Sequence, residues 1–523
     1  MSAATEKITY TATPEQVARM HDTFDTAIAE VRKGFGQTHP MIINGEERAG
    51  RATFAVRAPH DRSIVLGYFQ LGTKDDVNDA VAAAQAAYPA WSARPWQERV
   101  AILRKSAEII RERKFALSSL LVIEAGKSRG EAIGEVEEGA DLIDEYARQT
   151  EAADGFITPL ETLDGREHNQ SVFRPFGVWA VLAPFNFPHA LSAGPAAAAL
   201  IAGNTVVYKP ASATAFSGYE LARCFVDAGV PAGAFNLLTG SGSEVGGTLT
   251  HHADVDGVIF TGSKEVGWDL FKTFSTEYSK PCITEMGGKN PVIVTENADI
   301  DKAIDGTVRA AFGFSGQKCS AASRAYVARP VYDEFITKLA ERANAYVVGD
   351  PTARDTGTGP VIDETAVERF EEAVASAEGG TIRAGGKRLT GGIYDAGTYV
   401  APTVIDGLPP SHELFHKELF LPFIVVAPFD TLDEAIGYAN DTEYGLTAGI
   451  FSEDKDEQEQ FFGNIEAGVV YANRRGGATT GAWPGCQSFC GWKGSGSTGK
   501  GALGPFYVAQ FLREQSRTRW IEE

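Results

Sequence analysis

From Pro175 to Tyr208 the chain carries no Asp, Glu, Lys or Arg. A stretch that apolar has to leave water, either into a membrane or into a protein core. A membrane span needs about 20 apolar residues in one continuous helix. Here Pro184, Pro188 and Pro195 interrupt the run, and Asn186, His189 and Asn204 are polar. The segment therefore reads as a buried strand, a loop and a buried Ala-rich helix, which places a parallel sheet with helices on its faces in the middle of the chain.

The residues around it extend that pattern. After Phe176, short apolar strands are expected at Gly177–Leu182, Thr205–Tyr208, Ala234–Leu238 and Gly257–Phe260, with helices at Thr214–Gly229 and Glu244–Thr250 between them. Alternating βα units give a parallel sheet. A second block repeats the alternation, with strands at Pro291–Thr295, Arg324–Ala328 and Leu421–Pro428 and helices at Ile300–Phe312, Val331–Val347 and Leu432–Asn440. The part of the chain before the hairpin segment that starts at Ala152 reads as mostly helical, with apolar residues at three- and four-residue spacing in Val77–Trp91 and Val100–Gly126. The boundary between the two blocks falls at Gly287–Gly288. Two α/β domains meeting at a cleft form a natural binding place. Gly476–Gly504, rich in Gly, Ser and Thr, is too long for an ordinary turn and reads as a functional loop.

Charge and cysteine content narrow the function classes. Lys plus Arg number 48 and Asp plus Glu 69, a formal charge of 48 − 69 = −21. Such a chain repels phosphate backbones and anionic lipid, which argues against nucleic-acid and membrane-surface binding. The five cysteines are Cys224, Cys282, Cys319, Cys486 and Cys490, an odd number with no zinc-site spacing, so no metal site and a reducing, cytoplasmic setting are expected. Met1 to Pro14 show neither a basic nor an apolar leader region.

Four segments carry chemistry. Phe314-Ser-Gly-Gln-Lys-Cys319-Ser-Ala-Ala-Ser323 sets a cysteine in a Gly- and Ser-bearing loop after a helix. It is either an activated thiol nucleophile or a buried structural cysteine. Glu285 ends an apolar strand just before two glycines, as a general base in a cleft or as a solvated strand end. Asn186, held between prolines, is an amide donor for a developing oxyanion or a turn residue. In the fourth, the strand ending at Lys209-Pro210 and the strand leading to Thr261-Gly262-Ser263, with Gly267 in the following helix, offer a cation, a glycine and a helix N-terminus. Phosphates of a dinucleotide suit such groups, although no regular GxGxxG is present.

Together these segments resemble the aldehyde dehydrogenase superfamily, in the same order and over nearly the whole chain. Phe314–Ser320 resembles its cysteine signature and Thr284–Lys289 its glutamate signature. Asn186 lies in a form of its Pro-Trp-Asn-Phe-Pro motif with Phe185 in place of Trp. Val206–Pro210 and Phe260–Ser263 match its dinucleotide segments, and Glu418-Leu-Phe420-Leu-Pro422 its Glu-Ile-Phe-Gly-Pro. Within the superfamily the chain is most similar to the branch that oxidises L-glutamate γ-semialdehyde, the open form of 1-pyrroline-5-carboxylate. Val31–Gly36 leading to Pro40 and Ile42–Gly45, Gly316–Arg324, and Thr480–Ala482 followed by Gln487–Gly491 and Ser495-Gly496 carry that likeness. Gly476–Ala478 stands as an insertion, and Cys490 and Leu421 each replace a Gly.

The resemblance implies an α/β fold with a Rossmann-type cofactor domain (1–151 and 172–286), an α/β catalytic domain (287–486), and an oligomerisation hairpin and tail (152–171 and 487–523). It implies a homo-oligomer, assembled through about Ala152–Ser171 and Gly504–Glu523. It implies oxidation of an aldehyde to a carboxylate by Cys319, with Asn186 beside the oxyanion and Glu285 activating water. Acylating relatives that use coenzyme A typically lack that glutamate. NAD is the implied cofactor, with Lys209 at the adenosine ribose, Thr261, Gly262 and Ser263 at the pyrophosphate, and Gly287, Glu418 and Phe420 toward the nicotinamide end. Ser212 stands where NAD-selective relatives often carry Glu, so NADP is tolerated. Ser320 and the N–H groups of Gly481 and Ala482 are implied for the substrate carboxylate, with Glu138 and Phe185 lining the aldehyde end. The alternatives are oxidation of another aliphatic or aromatic aldehyde, and, more remotely, a non-catalytic relative.

Overall fold

A computed structural model describes residues 7–10 and 13–521. The first expected domain thus begins, and the expected tail ends, with residues outside the described ones. Two seven-stranded sheets form the body. The first contains β1 (Met41–Ile43), β2 (Glu46–Arg48), β3 (Val178–Leu182), β4 (Thr205–Lys209), β5 (Phe235–Leu237), β6 (Gly257–Thr261) and β7 (Cys282–Glu285), in the order β7-β6-β3-β4-β5-β1-β2. From β7 to β5 every pairing is parallel, and β1 and β2 add an antiparallel edge.

The second contains β8 (Asn290–Val294), β9 (Ala322–Ala328), β10 (Thr381–Ala384), β11 (Thr403–Asp406), β12 (Phe423–Phe429), β13 (Thr447–Phe451) and β14 (Val469–Ala472), ordered β10-β11-β12-β9-β8-β13-β14. Only the β10 edge is antiparallel. The two expected α/β lobes are both present.

Side-chain alternation explains why both sheets are covered on two faces. Trp179, Val181, Val206 and Tyr208 enter one core, while Val178, Ala180 and Val207 enter the core on the opposite face. Ile293, Val425 and Ala427 likewise oppose Val292, Val294, Ile424 and Val426 in the second lobe. A strand buried on both sides has no polar face, which is why these segments read as continuous apolar runs.

The charge-free run folds as expected into β3, a loop and the helix Ala190–Ala202. Pro195 lies inside that helix rather than ending it. Asn204 is satisfied in the core: its Oδ1 accepts the Phe176 and Gly177 N–H groups and its Nδ2 donates to the Phe511 carbonyl. No helix among the described residues is long and apolar enough to cross a membrane.

Two expectations change. The part of the chain before Ala152 is not helical throughout: strands at 37–39, 53–57 and 65–70 make a small sheet, and β1 and β2 extend the first large one. All of these strands are too short for a clear alternation to register. Residues 487–511 do not lie on the hairpin: Ser495–Ser497 pack against β7, and Tyr507, Val508 and Phe511 enter the first core. Leu512–Trp520 pairs with the hairpin from Pro175 back to Glu167, and the Ile521 N–H adds a bond to the Arg166 carbonyl. Ile157–Pro159 completes that three-stranded sheet.

Candidate active site

The carboxyl ends of the parallel strands in the first sheet all open on one edge. Leu182 pairs with Lys209, Phe260 with Leu182, and Thr261 with Glu285. The segments that follow these strands therefore meet: Pro184–Asn186, Lys209–Ser212, Thr261–Ser263 and Glu285–Gly288. Such an edge is where open α/β sheets bind ligands. The second sheet turns its amino edge toward the same place, because β8 begins at Asn290 and β9 begins shortly after Cys319.

Between the two edges lies a cleft of about 990 Å³. Phe185, Asn186, Thr261, Gly262, Ser263, Gly287, Cys319, Glu418 and Phe420 all line it. These come from segments far apart in the chain, so only the fold brings them together. The rings of Phe185 and Phe420 meet edge to face at 5.8 Å, and Phe185 packs onto the core of the second lobe. The phenyl ring at 185 thus fills the place where the resembling motif has Trp.

Cys319 follows a strained turn. Phe314, Ser315 and Gly316 all have left-handed φ, at 52°, 52° and 66°. Two non-glycine residues in that region are costly, and the surroundings must impose them. Ser315 is fixed from both sides: its N–H donates to Thr358 Oγ1 at 2.6 Å and its hydroxyl to the Gly359 carbonyl at 2.6 Å. A Cβ at Gly316 would lie 2.1 Å from the Leu421 carbonyl, so the two signature loops are in contact there. Leu421 has no left-handed φ, and its side chain is buried in the second core, which is how a Gly-to-Leu departure is accommodated.

The Asn186 side chain donates to the Gln317 carbonyl at 3.0 Å. A primary amide has two hydrogens, so one orients the group and the second remains for the cleft it lines. The backbone N–H groups of Ser320 and Cys319 favour the thiolate. Burial, then the charges of Glu418 and Glu285, push the Cys319 thiol up to about 12. A thiol held that high is protonated at rest, so a base must take its proton when it reacts.

Glu285 is not on the cleft wall, but it ends β7 opposite Thr261, which is, and its charge reaches Cys319. Its Oε2 is sealed from solvent and has no partner among the described residues. Burial raises its carboxyl to about 8. Glu418 accepts the Gly288 N–H at 2.9 Å, and a Cβ at Gly287 would lie 1.9 Å from its Oε2. Burial raises Glu418 to about 7.

Other expected site residues lie off the cleft wall. Lys209 is buried and donates to the Pro210 carbonyl at 3.2 Å, while burial lowers its amine to about 8. The Ser212 hydroxyl donates to the Gly240 carbonyl at 2.8 Å. The Ser320 carbonyl accepts the Thr479 hydroxyl at 2.7 Å, which ties the cysteine loop to the segment before Gly481 and Ala482. The Gly481 carbonyl accepts from Arg474, and Ala482 is buried in the first core. Glu138 is buried, accepts the Tyr10 hydroxyl at 2.5 Å, and is raised to about 8, chiefly by burial. In Gly476–Ala478, the Ala478 N–H donates to the Gly306 carbonyl, and Ala478 is fully buried between the helix Ile300–Phe312 and β13.

Sequence reasoning gives no role to Asn290, Arg369 or Thr447. Asn290 grips the carbonyls of Cys319 and Ala321. The Arg369 Nε donates to the Leu419 carbonyl at 2.8 Å and so fixes the Glu418–Phe420 loop. An Asn directly after the Gly-Gly-Lys run is visible in the sequence, but its target, the Cys319 carbonyl on another loop, is not.

The cleft fits a dinucleotide on its own geometry. Ser263 caps the ten-residue helix Lys264–Thr273, accepting the Val266 N–H. That N-terminus, with Gly262 beside it, lines the cleft, and such ends bind phosphate through free N–H groups and the helix dipole.

Comparison with known proteins agrees with this picture. The model of the aldehyde dehydrogenase family matches residues 45–516. A 1-pyrroline-5-carboxylate dehydrogenase of Bacillus pumilus (strain SAFR-032) is 37% identical over 503 residues, covering 95% of each chain. The crystal structure of 1-pyrroline-5-carboxylate dehydrogenase from Thermus with bound NAD superimposes with a TM-score of 0.91 at 33% identity, over 96% of each chain. Proline utilization A from Bdellovibrio bacteriovorus superimposes equally well, at 0.91 and 35% identity over 96% of this chain, which spans only 52% of that longer protein.

Proposed function

The chain belongs to the aldehyde dehydrogenase family, and on that premise we propose that it oxidises L-glutamate γ-semialdehyde to L-glutamate with NAD, through a thioester on Cys319. The observation that carries this reading is the convergence on one cleft of Cys319, Asn186 and the Thr261–Ser263 helix entrance, with Glu285 close enough for its charge to act on the Cys319 thiol.

In this reading NAD, when bound, supplies the hydride acceptor. Thr261, Gly262 and Ser263 hold its pyrophosphate, Lys209 and Ser212 its adenosine ribose, and Gly287, Glu418 and Phe420 its nicotinamide end. As the Cys319 sulfur attacks the aldehyde carbon, its proton passes to water in the open cleft. The new oxyanion lies between the Cys319 N–H and the free hydrogen of the Asn186 amide. One such donor contributes roughly 3–4 kcal/mol in comparable acyl-transfer sites. Once the adduct has been oxidised, Cys319 carries the acyl group as a thioester. Glu285, half-buried and charged only above about pH 8, takes a proton from water as that water attacks the thioester.

For the substrate, Ser320 and the N–H groups of Gly481 and Ala482 take the α-carboxylate. Neither of those N–H groups has a partner among the described residues. Glu138 and Phe185 line the aldehyde end. The 1-pyrroline-5-carboxylate dehydrogenase relatives support this choice over another aldehyde. NADH production with glutamate semialdehyde, propanal, succinic semialdehyde and benzaldehyde tests it. A kcat/KM for propanal or benzaldehyde far above that for the semialdehyde would overturn the substrate while leaving the chemistry standing.

Ile157, Leu160 and Leu163 of the hairpin segment, and Trp520 and Ile521 at the end of the tail that pairs with it, are all exposed apolar side chains. The reading takes them as the contact of a homo-oligomer in the cytoplasm. Light scattering giving the mass of a single chain would remove it.

A further inference from the structure

The proposed oxyanion site requires two donors held at a fixed separation, yet neither lies in regular secondary structure. Asn186 belongs to the loop between β3 and the helix Ala190–Ala202, and Cys319 to the loop that follows the left-handed turn before β9. Both loops close on one buried cation. Lys127 has no exposed surface, and its Nζ lies 3.7 Å from the centroid of the Phe187 ring and 4.3 Å from that of Phe314. Phe187 is the residue after Asn186. Phe314 opens the turn that leads to Gln317, the acceptor of the Asn186 amide, and on to Cys319.

The cation is anchored as well. Its Nζ pairs with Glu135 at 2.7 Å, both side chains being fully buried. Glu135 Oε1 in turn accepts the His189 N–H at 2.7 Å, which fixes the far end of the Asn186 loop. This buried ammonium faces the Glu135 carboxylate, with the Glu131 charge also acting on it, and two aromatic faces cover its remaining sides. Its position is therefore tightly determined, and so is the spacing of the loops on either side.

We propose that Lys127 is a positioning residue for the oxyanion site: through the faces of Phe187 and Phe314 it sets the distance between the Asn186 amide and the Cys319 loop, touching neither substrate nor cofactor. The inference rests on the reading of Asn186 and Cys319 as the oxyanion donors.

Acyl transfer from p-nitrophenyl acetate tests it without any cofactor. The Cys319 sulfur attacks the ester carbonyl, the thioester forms, and p-nitrophenolate leaves through the same kind of oxyanion. In Lys127→Met the acylation rate and the NADH burst with aldehyde both fall by about tenfold or more, while KM for NAD stays within twofold. Lys127→Arg restores part of the rate, since a guanidinium keeps the ring contacts. Phe314→Leu keeps the apolar filling, removes the π face, and shows a several-fold loss; it serves where Lys127→Met does not fold. Added to Asn186→Ala, the Lys127→Met change costs far less than it does alone, because the spacing it sets has lost the donor at one end. An acylation rate within twofold of wild type in folded Lys127→Met, or losses that multiply in full with Asn186→Ala, would show a merely structural lysine. Wild-type acylation in Asn186→Ala would remove the oxyanion reading itself, and this inference with it.

Discussion

The Asn290 side chain donates to the Cys319 carbonyl at 2.7 Å and to the Ala321 carbonyl at 2.9 Å, while its own oxygen accepts the Thr447 N–H at 3.0 Å. Asn290 is the first residue of β8, so the height of the cysteine loop above the sheet is set by a strand and not by the loop's own conformation. Asn290→Ala leaves those buried groups unpaired, at about 1–3 kcal/mol each. The thermal midpoint falls, kcat drops by about tenfold or more, and KM for NAD changes little. Wild-type kcat in this variant would show that the clamp is not needed.

Cys319 and Glu285 divide the proposed reaction in time. Cys319→Ala removes the nucleophile, and both the NADH burst and turnover vanish. Glu285→Gln keeps the shape of the site but offers no base, so stopped-flow traces show a burst of NADH close to one equivalent per site, then a steady rate lower by about 10²-fold or more. Full turnover in Cys319→Ala would end the mechanism.

Glu285 also predicts how the enzyme responds to pH. Burial holds its carboxyl near 8, against about 4.3 in an unfolded chain. The folded protein therefore takes up a proton that the unfolded chain releases, and the stability tied to this group is complete below about pH 4.3 and lost as the pH rises through 8. Deacylation runs the other way, because only the ionised carboxylate accepts a proton from water. Steady-state kcat climbs through about pH 8, and Glu285→Gln flattens both that climb and this part of the stability profile. A wild-type kcat constant from pH 6 to 9 would contradict it.

The parts legible in the sequence are those with a local signature. Strands buried on two faces announce themselves as apolar runs, and Ile300–Phe312 and Leu432–Asn440 fold with the boundaries their periodicity implies. Cys319, Glu285 and Asn186 stand out because each sits in or beside a loop with glycine or proline. What stays hidden depends on contacts across the chain. Lys127 looks like an ordinary residue after a helix until Phe187 and Phe314 close on it. Arg369 sits on an amphipathic helix and shows nothing of its bond to Leu419. The strands before Leu71 are too short to carry a pattern, and they acquire their conformation from their neighbours.

Ser212 sets the last expectation, the choice of cofactor. It occupies the short turn after β4, next to Ala211 on the cleft wall, with its hydroxyl bonded to the Gly240 carbonyl. In the proposed reading a hydroxyl there neither repels nor specifically binds a 2′-phosphate, and the expected outcome is that NADP supports turnover alongside NAD. In Ser212→Glu a carboxylate faces that phosphate. Two unit charges about 4 Å apart near a protein surface interact by roughly 4 kcal/mol, and a tenfold loss needs only about 1.4 kcal/mol. The kcat/KM for NADP therefore drops by more than about tenfold in Ser212→Glu, while that for NAD, whose ribose hydroxyls can donate to the carboxylate, holds or rises. Equal changes for the two cofactors would place the 2′ position away from residue 212.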